Sequence, residues 1–78
     1  MNVDDPTAIQ ILVAWQPRKW VVSRNTVPIG AYAYRRHAMD AARTVAAQAA
    51  ALGVCCYLLV RDQSGQWSEH PCPRPRKS

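Results

Sequence analysis

"AMDAARTVAAQAAALGV", residues 38–54, is the stretch of this chain that decides its fold. Alanine has the highest helix propensity of any residue, and glycine is the residue most often found just past a helix end. We therefore predict a helix over residues 35–52, with Gly53 in the left-handed conformation after it. Small and apolar side chains recur at three- and four-residue spacing and share one stripe: Ala38, Ala41, Ala42, Val45, Ala46, Ala49 and Leu52.

A helix with so little apolar side-chain volume must pack against a layer of large apolar side chains if the two are to form a core. The flanking segments are rich in isoleucine, valine, leucine and tryptophan, as strands are. A helix of about eighteen residues is roughly 27 Å long, and strands of seven or eight residues run about 25 Å. One helix can therefore lie along a sheet, with small helix side chains against large sheet side chains.

Two strands and a connection are predicted before the helix. Alternation over residues 7–15, "TAIQILVAW", places four side chains on one face: Ile9, Ile11, Val13 and Trp15. Residues 16–19, "QPRK", form a turn, so Trp15 should lie opposite Trp20 in the second strand, "WVVSR". Residues 25–34, "NTVPIGAYAY", contain Pro28 and Gly30, and we interpret them as the frayed strand end and the connection to the helix.

Two further strands are predicted after the helix. Residues 54–61, "VCCYLLVR", form the third strand, and residues 66–70, "QWSEH", form a short fourth one. Between them Gly65 suits the left-handed position of a turn. The predicted fold is α+β, ββαββ, with a four-stranded antiparallel sheet and one alanine-rich helix on one face. Residues 1–6 are expected to be a flexible arm, 7–70 a single domain, and 71–78 a disordered basic, proline-rich tail.

The third predicted strand is apolar on both faces, whereas one helix covers only one face. Strands of this kind are normally covered on both sides. The uncovered set forms a predicted association face: Leu12, Val21, Tyr57 and Leu59. A symmetric homodimer that buries this face is the simplest expectation. The alternative is that the tail or residues 27–34 fold back over it.

Composition limits the class of protein. The chain has 78 residues and a net charge of +5, and no apolar run long enough to span a membrane or to act as a leader. Cys55 and Cys56 are adjacent and would point to opposite faces of a strand. Three cysteines cannot form a closed disulfide framework, which favours reduced thiols. We expect a soluble cytoplasmic protein that does not contact membranes.

Little in the sequence suggests catalysis. His70 and Cys72 stand two apart, but the chain lacks the two closely spaced ligand pairs of a structural zinc site. Cys56 with His70 could form a thiolate pair, although cysteines inside apolar strands are usually inert. The acidic residues are scattered and no phosphate loop is present. We predict a non-enzymatic protein with no metal and no cofactor.

Basic residues cluster at the start of the helix. "YRRHAMD", residues 34–40, places Arg35, Arg36 and His37 where no Ser, Thr, Asp or Asn caps the helix. Free amides and guanidinium groups could bind phosphate there. A weak nucleic-acid contact would use this cluster with further basic residues along the chain and in the tail: Arg43, Arg74, Arg76 and Lys77. The competing interpretation is that these are solvated surface arginines.

Three segments resemble a known family: "WVVSR", the alanine-rich helix "HAMDAARTVAAQAAALGV" and the hairpin "VRDQSGQWSEH". Over residues 10–70 the chain resembles a family of small bacterial proteins catalogued as domain of unknown function 2188. That family has no assigned activity, so the resemblance implies no catalytic residues. We predict a small accessory protein that self-associates and binds another protein. The alternatives are a weak nucleic-acid binder and a phage or mobile-element inhibitor of a bacterial complex.

Overall fold

A computed structural model describes residues 8–74. It contains five strands and one helix, which are β1 (Ile9–Gln16), β2 (Lys19–Arg24), β3 (Val27–Tyr32), α1 (Arg35–Ala51), β4 (Cys56–Arg61) and β5 (Trp67–His70). The strands form one sheet in the order β3-β2-β1-β4-β5. The helix packs on one face of it, against β1, β2, β3 and β4. The predicted α+β class is confirmed, and the predicted arm lies outside the described residues.

The predicted number of strands is wrong, because most of the presumed connection is a strand. β3 pairs with β2 at the edge of the sheet, where Ser23 lies opposite Pro28. Proline is tolerated in an edge strand because its missing N–H faces away from the ladder. The register shifts between Val22 and Ser23, which marks a bulge. Residues 27–32 therefore widen the sheet and do not fold back over it.

The additional strand also makes the sheet mixed. β1, β2 and β3 are successively antiparallel, so β3 runs in the same direction as β1. The helix then carries the chain back, and β4 enters the sheet parallel to β1, with Ile9 opposite Cys56 and Val13 opposite Val60. With only two strands before the helix, β4 would run antiparallel to β1. The predicted all-antiparallel sheet is wrong for this reason.

The first hairpin has the predicted tryptophan pair. Trp15 lies opposite Trp20, and their ring centroids are 5.2 Å apart at an interplanar angle of 61°. Such an edge-to-face contact stabilises a pair of aromatic rings beyond their burial. The turn is shorter than predicted: Gln16 and Lys19 are paired, so only two residues connect the strands. Arg18, the second of them, has a φ of 72°, as the position after proline does in a type II turn.

The helix ends as its sequence predicts. The N–H of Val54 donates to the carbonyl of Ala49 over 2.9 Å, and the N–H of Gly53 donates to that of Ala50 over 3.0 Å. These two bonds, with Gly53 at a φ of 78°, form a Schellman motif. Leu52, predicted on the buried stripe, is instead 81% exposed because it follows the last helical residue.

The core consists of large sheet side chains packed against small helix side chains. On the sheet, five aliphatic side chains are fully buried: Ile11, Val13, Val22, Leu58 and Val60. On the helix, the buried residues are mostly alanines: Ala38, Met39, Ala42, Ala46, Ala49 and Ala50. Alanine lets the helix backbone approach the sheet closely, so the larger side chains fill the space between them.

The β2–β3 turn holds two residues in the left-handed region. Asn25 has a φ of 50° and Thr26 a φ of 72°, as in a type I′ turn. Asn25 is well suited, since its Oδ1 accepts from the Gln10 N–H over 2.9 Å and its own N–H donates to the Gln10 carbonyl over 2.8 Å. Thr26 is β-branched, and this conformation crowds its side chain against the backbone.

We therefore expect Thr26→Gly to stabilise the protein by about 1 kcal/mol, because glycine removes that crowding. Thr44→Gly is the matched control, since Thr44 is exposed inside α1, where glycine costs about 1 kcal/mol. Thermal unfolding followed by circular dichroism should show opposite shifts in Tm for the two variants. A fall in Tm for both would contradict the assignment of strain to Thr26.

Candidate interaction surfaces

The face of the sheet opposite α1 is called here the open face. The strand registers place one set of alternate positions on it: Gln10, Leu12, Ala14, Gln16, Lys19, Val21, Ser23, Pro28, Ala31, Tyr57, Leu59, Arg61, Trp67 and Glu69. The four residues predicted as an association face, Leu12, Val21, Tyr57 and Leu59, all belong to it. The structure thus brings them together on one surface of the described chain.

The centre of the open face is apolar. Leu12 lies opposite Leu59 in the parallel β1–β4 pair, and Ala14 lies opposite Val21 in the β1–β2 pair. Ala14 and Val21 are only 5% and 9% exposed, because their neighbours shield these small side chains, whereas Leu12 and Leu59 are half-buried. These four neighbouring side chains, on β1, β4 and β2, therefore form an aliphatic surface at the centre of the open face.

Two aromatic side chains extend the apolar centre toward β5. Tyr57 is 52% exposed and Trp67 is 53% exposed. Arg61 pairs with Trp67 across the β4–β5 ladder, and its guanidinium carbon lies 5.7 Å from the centroid of the indole ring. This cation–π contact keeps the arginine on the open face. Trp67 is not among the residues predicted for this face, because the predicted turn of residues 62–65 sets Gln66, and not Trp67, opposite Arg61.

The side of the sheet that α1 covers also carries the predicted basic cluster. Its two arginines contact different aromatic rings. Arg35 lies over Trp20, with its guanidinium carbon 5.8 Å from the ring centroid, beside the loop that begins at Asp62. Arg36 instead lies 5.6 Å from the ring of Tyr34, which His37 contacts edge-on at 5.6 Å. Arg35, Arg36 and His37 therefore each have an aromatic neighbour.

A shallow groove of about 430 Å³ runs between α1 and β5. It is lined by Arg35, Arg36, Met39, Asp40, Arg43 and His70. Arg43 and Asp40 are 4.0 Å apart, and both are largely exposed, so this ion pair contributes little to stability. Three arginines and one histidine therefore face a groove in which Asp40 is the single carboxylate. His37 is not among the residues that line it.

Of the tail residues predicted to bind anions, the structure describes Arg74, which lines a separate cavity of about 300 Å³ beyond the end of β5. Arg76 and Lys77 lie outside the described residues, which end at residue 74 within the predicted tail.

All three cysteines line that second cavity, and all are free thiols. Cys55 is exposed, while Cys56 and Cys72 are half-buried and pack against the core. Burial, followed by a hydrogen bond with the Cys56 side chain, raises the pKa of the Cys72 thiol to about 12. Cys72 is therefore protonated at neutral pH, and a thiol in that state is a poor nucleophile.

The described part of the chain offers few other sites. Between residues 8 and 74, no group of three or more His, Cys, Asp or Glu side chains is placed to hold a metal ion. All buried side chains in the same range are apolar. The helix of this region is not long and apolar enough to cross a membrane.

No protein-family model matches the chain, and neither the curated proteins nor the solved structures contain a match. The surfaces described above therefore supply the basis for a functional proposal.

The β4–β5 loop contains a carboxylate, that of Asp62, whose pKa is lower in the folded protein than its ordinary value. Asp62 Oδ1 accepts from the Ser64 hydroxyl over 2.6 Å, the Ser64 N–H over 2.9 Å and the Gln66 N–H over 3.0 Å. The Ser64 hydroxyl bond, then the Gln66 amide bond, lowers the pKa of Asp62. A lowered pKa in the folded state stabilises the protein above the unfolded-state pKa, and this contribution is lost as pH falls through the folded pKa.

We expect Asp62→Asn to lower the Tm at pH 7, because asparagine accepts these bonds without a charge. The difference in Tm between wild type and variant should begin to shrink as pH falls below about 4, where Asp62 of the unfolded chain takes up a proton, and it should be lost once pH falls through the lower folded-state pKa. Melting curves of both proteins across this pH range give the difference in Tm. The other carboxylates do not affect this difference, because both proteins contain them. A difference that stays constant with pH would contradict the proposed role of the Asp62 charge.

Proposed function

We propose that this protein is a non-enzymatic binding protein that forms a symmetric homodimer through its open face and, as a dimer, binds another protein. The observation that carries the proposal is that Leu12 and Leu59 lie opposite each other in the β1–β4 pair, half-buried on the side that α1 leaves uncovered. Parallel strand pairs are normally buried on both faces. A second layer on this side would complete that burial.

The composition of the open face supports a protein partner. Aliphatic side chains occupy the centre, and Tyr57, Trp67 and Arg61 lie toward one side of it. Tyrosine, tryptophan and arginine are the residues most enriched where protein interfaces concentrate their binding energy. Lysine and glutamate, which interfaces disfavour at their centres, occur here only as Lys19 and Glu69, away from the central leucines.

A second copy of this chain is the partner that the face fits most simply. Two copies related by a two-fold axis present the same surface to each other, so an apolar centre meets an apolar centre. Arg61 and Glu69 lie on adjacent strands of the same face, which gives each copy both signs of charge. The dimer would leave α1 and both edge strands available to a different protein.

Membership of family 2188 and a cytoplasmic location remain predictions from the sequence. Neither changes the proposal, because the family has no assigned activity and an apolar face associates in any aqueous compartment.

Leu59→Asp should weaken self-association by at least about 100-fold, since each dimer would bury two unpaired carboxylates and one of them in an apolar interface already costs about 3 kcal/mol. Leu52→Asp is the matched control, because Leu52 is 81% exposed at the end of α1. Size-exclusion chromatography with light scattering over a concentration series gives the masses. We expect twice the chain mass of 8.7 kDa for wild type and Leu52→Asp, and one chain for Leu59→Asp.

Circular dichroism should show that both variants keep the helix and the sheet. A wild-type protein that is monomeric at all concentrations would refute the homodimer. A Leu59→Asp protein that is folded and dimeric would place the interface elsewhere.

Nucleic acid is a second candidate ligand, and the groove between α1 and β5 favours it. The Arg36 and Arg43 side chains face the same groove as His70, and a nucleic-acid backbone is recognised by such sets of cationic groups. Arg35 also lines it, but it lies beside Trp20 and the Asp62 loop as well. The carboxylate of Asp40 reduces the potential there, so the expected affinity is low.

The double variant Arg36→Ala/Arg43→Ala should bind a short DNA duplex about tenfold more weakly than wild type at about 50 mM salt. Arg18→Ala/Arg24→Ala removes the same charge from exposed positions outside the groove and should have a smaller effect. Fluorescence anisotropy measures both. Equal losses would assign the binding to net charge alone, and no wild-type binding at low salt would exclude this candidate.

A further inference from the structure

Two cysteines lie at the end of the β4–β5 ladder. The last pair of the ladder is Leu58 with His70, and the same register continued by two residues beyond it would set Cys56 opposite Cys72. A step of two residues keeps side chains on the same face, here the α1 side, where both cysteines pack against the core. Opposed residues of an antiparallel pair have Cβ atoms about 4.5–5.5 Å apart, close to the roughly 3.5–4.5 Å of a disulfide.

The two cysteines also border the same cavity and pack against the same core. The Cys56 side chain contributes to the raised pKa of Cys72. Cys55 is next to Cys56 in sequence but is exposed and lies outside the core cluster. The three cysteines therefore divide into one adjacent pair and one separate thiol.

The pair lies where the sheet is least supported. Within residues 8–74, α1 contacts β1, β2, β3 and β4 but not β5. β5 has four residues and depends on its ladder with β4. A covalent link between Cys56 and Cys72 would fasten the chain just after β5 to the first residue of β4.

We infer that Cys56 and Cys72 are a redox-active pair that forms a reversible intramolecular disulfide by exchange with a low-molecular-weight disulfide, such as glutathione disulfide. In the first step the Cys56 thiolate attacks one sulfur of glutathione disulfide. An S–S bond forms between Cys56 and that glutathione, and the other glutathione leaves as a thiolate and takes a proton from water.

In the second step Cys72 loses its proton to solvent and attacks Cys56 Sγ. The Cys56–Cys72 bond forms, and the second glutathione leaves as a thiolate and is protonated. Overall, two protein thiols are oxidised by two electrons, and one glutathione disulfide is reduced to two glutathione thiols. Because the second step needs the Cys72 thiolate, its rate rises with pH over the range below the Cys72 pKa.

The test is incubation of the folded protein with glutathione disulfide, acid quenching, alkylation of the remaining thiols and mass spectrometry of tryptic peptides. We expect peptide 44–61 to be joined to the peptide that begins at residue 62, with Cys55 alone alkylated. Cys55→Ser should form the same link, while Cys56→Ser and Cys72→Ser should each lose it. Oxidised wild type should unfold at a Tm roughly 10 °C above the reduced protein, and dithiothreitol should reverse the shift.

Three results would overturn the inference: a mixed disulfide at Cys55 with Cys56 and Cys72 both alkylated, a link that persists in Cys56→Ser, or disulfides only between chains. Circular dichroism of the two serine variants shows whether each is folded. Should one of them unfold, the other and the Cys55→Ser protein still decide which residues pair. None of these measurements depends on the dimer proposed above.

Discussion

The packing of a helix whose buried face is mostly alanine against a sheet of large aliphatic side chains is the constraint on which the rest of this structure depends. Ala38, Ala42 and Ala46 are essentially inaccessible, so the helix backbone itself forms much of the surface against which Val13, Leu58 and their neighbours pack. Side chains of that size leave little room for bulky residues on the helix, and Met39 is the one large side chain among its buried residues. The same helix packs against four of the five strands on one side of the sheet. The open face is therefore the opposite side, and the basic groove lies between the helix and β5.

Most of the local structure could be predicted from the sequence because local signals determine it. The helix, its Gly53 terminus, the Trp15–Trp20 pair and the turn at Gly65 each depend on residues close together in the chain. β3 was missed because Pro28 and Gly30 are signals against a strand, and neither signal shows that the strand lies at an edge. In addition, a Cβ at position 30 would lie 2.8 Å from the Tyr32 hydroxyl, so glycine at this point leaves space for that ring.

The candidate sites were predictable to the extent that they follow from alternation within one strand. Tyr57 and Leu59 share the open face because a two-residue step along β4 keeps a side chain on one side of the sheet. Leu12 joins them through the register between β1 and β4, and neither that register nor the pairing of Arg61 with Trp67 follows from composition. The position of Arg35, over Trp20 and also in the groove that Arg43 lines, is a tertiary relation.

The parallel pairing of β1 with β4 has a consequence for the order in which the chain folds. β1, β2 and β3 are joined by turns of two residues, so each pairs with a neighbour that is already close. Ile9 meets Cys56 only after both hairpin turns and the whole helix have been traversed. Closing so long a loop has an entropic cost that the short turns avoid, and pairings of this kind slow folding. The central strands of the finished sheet are thus among the last to meet.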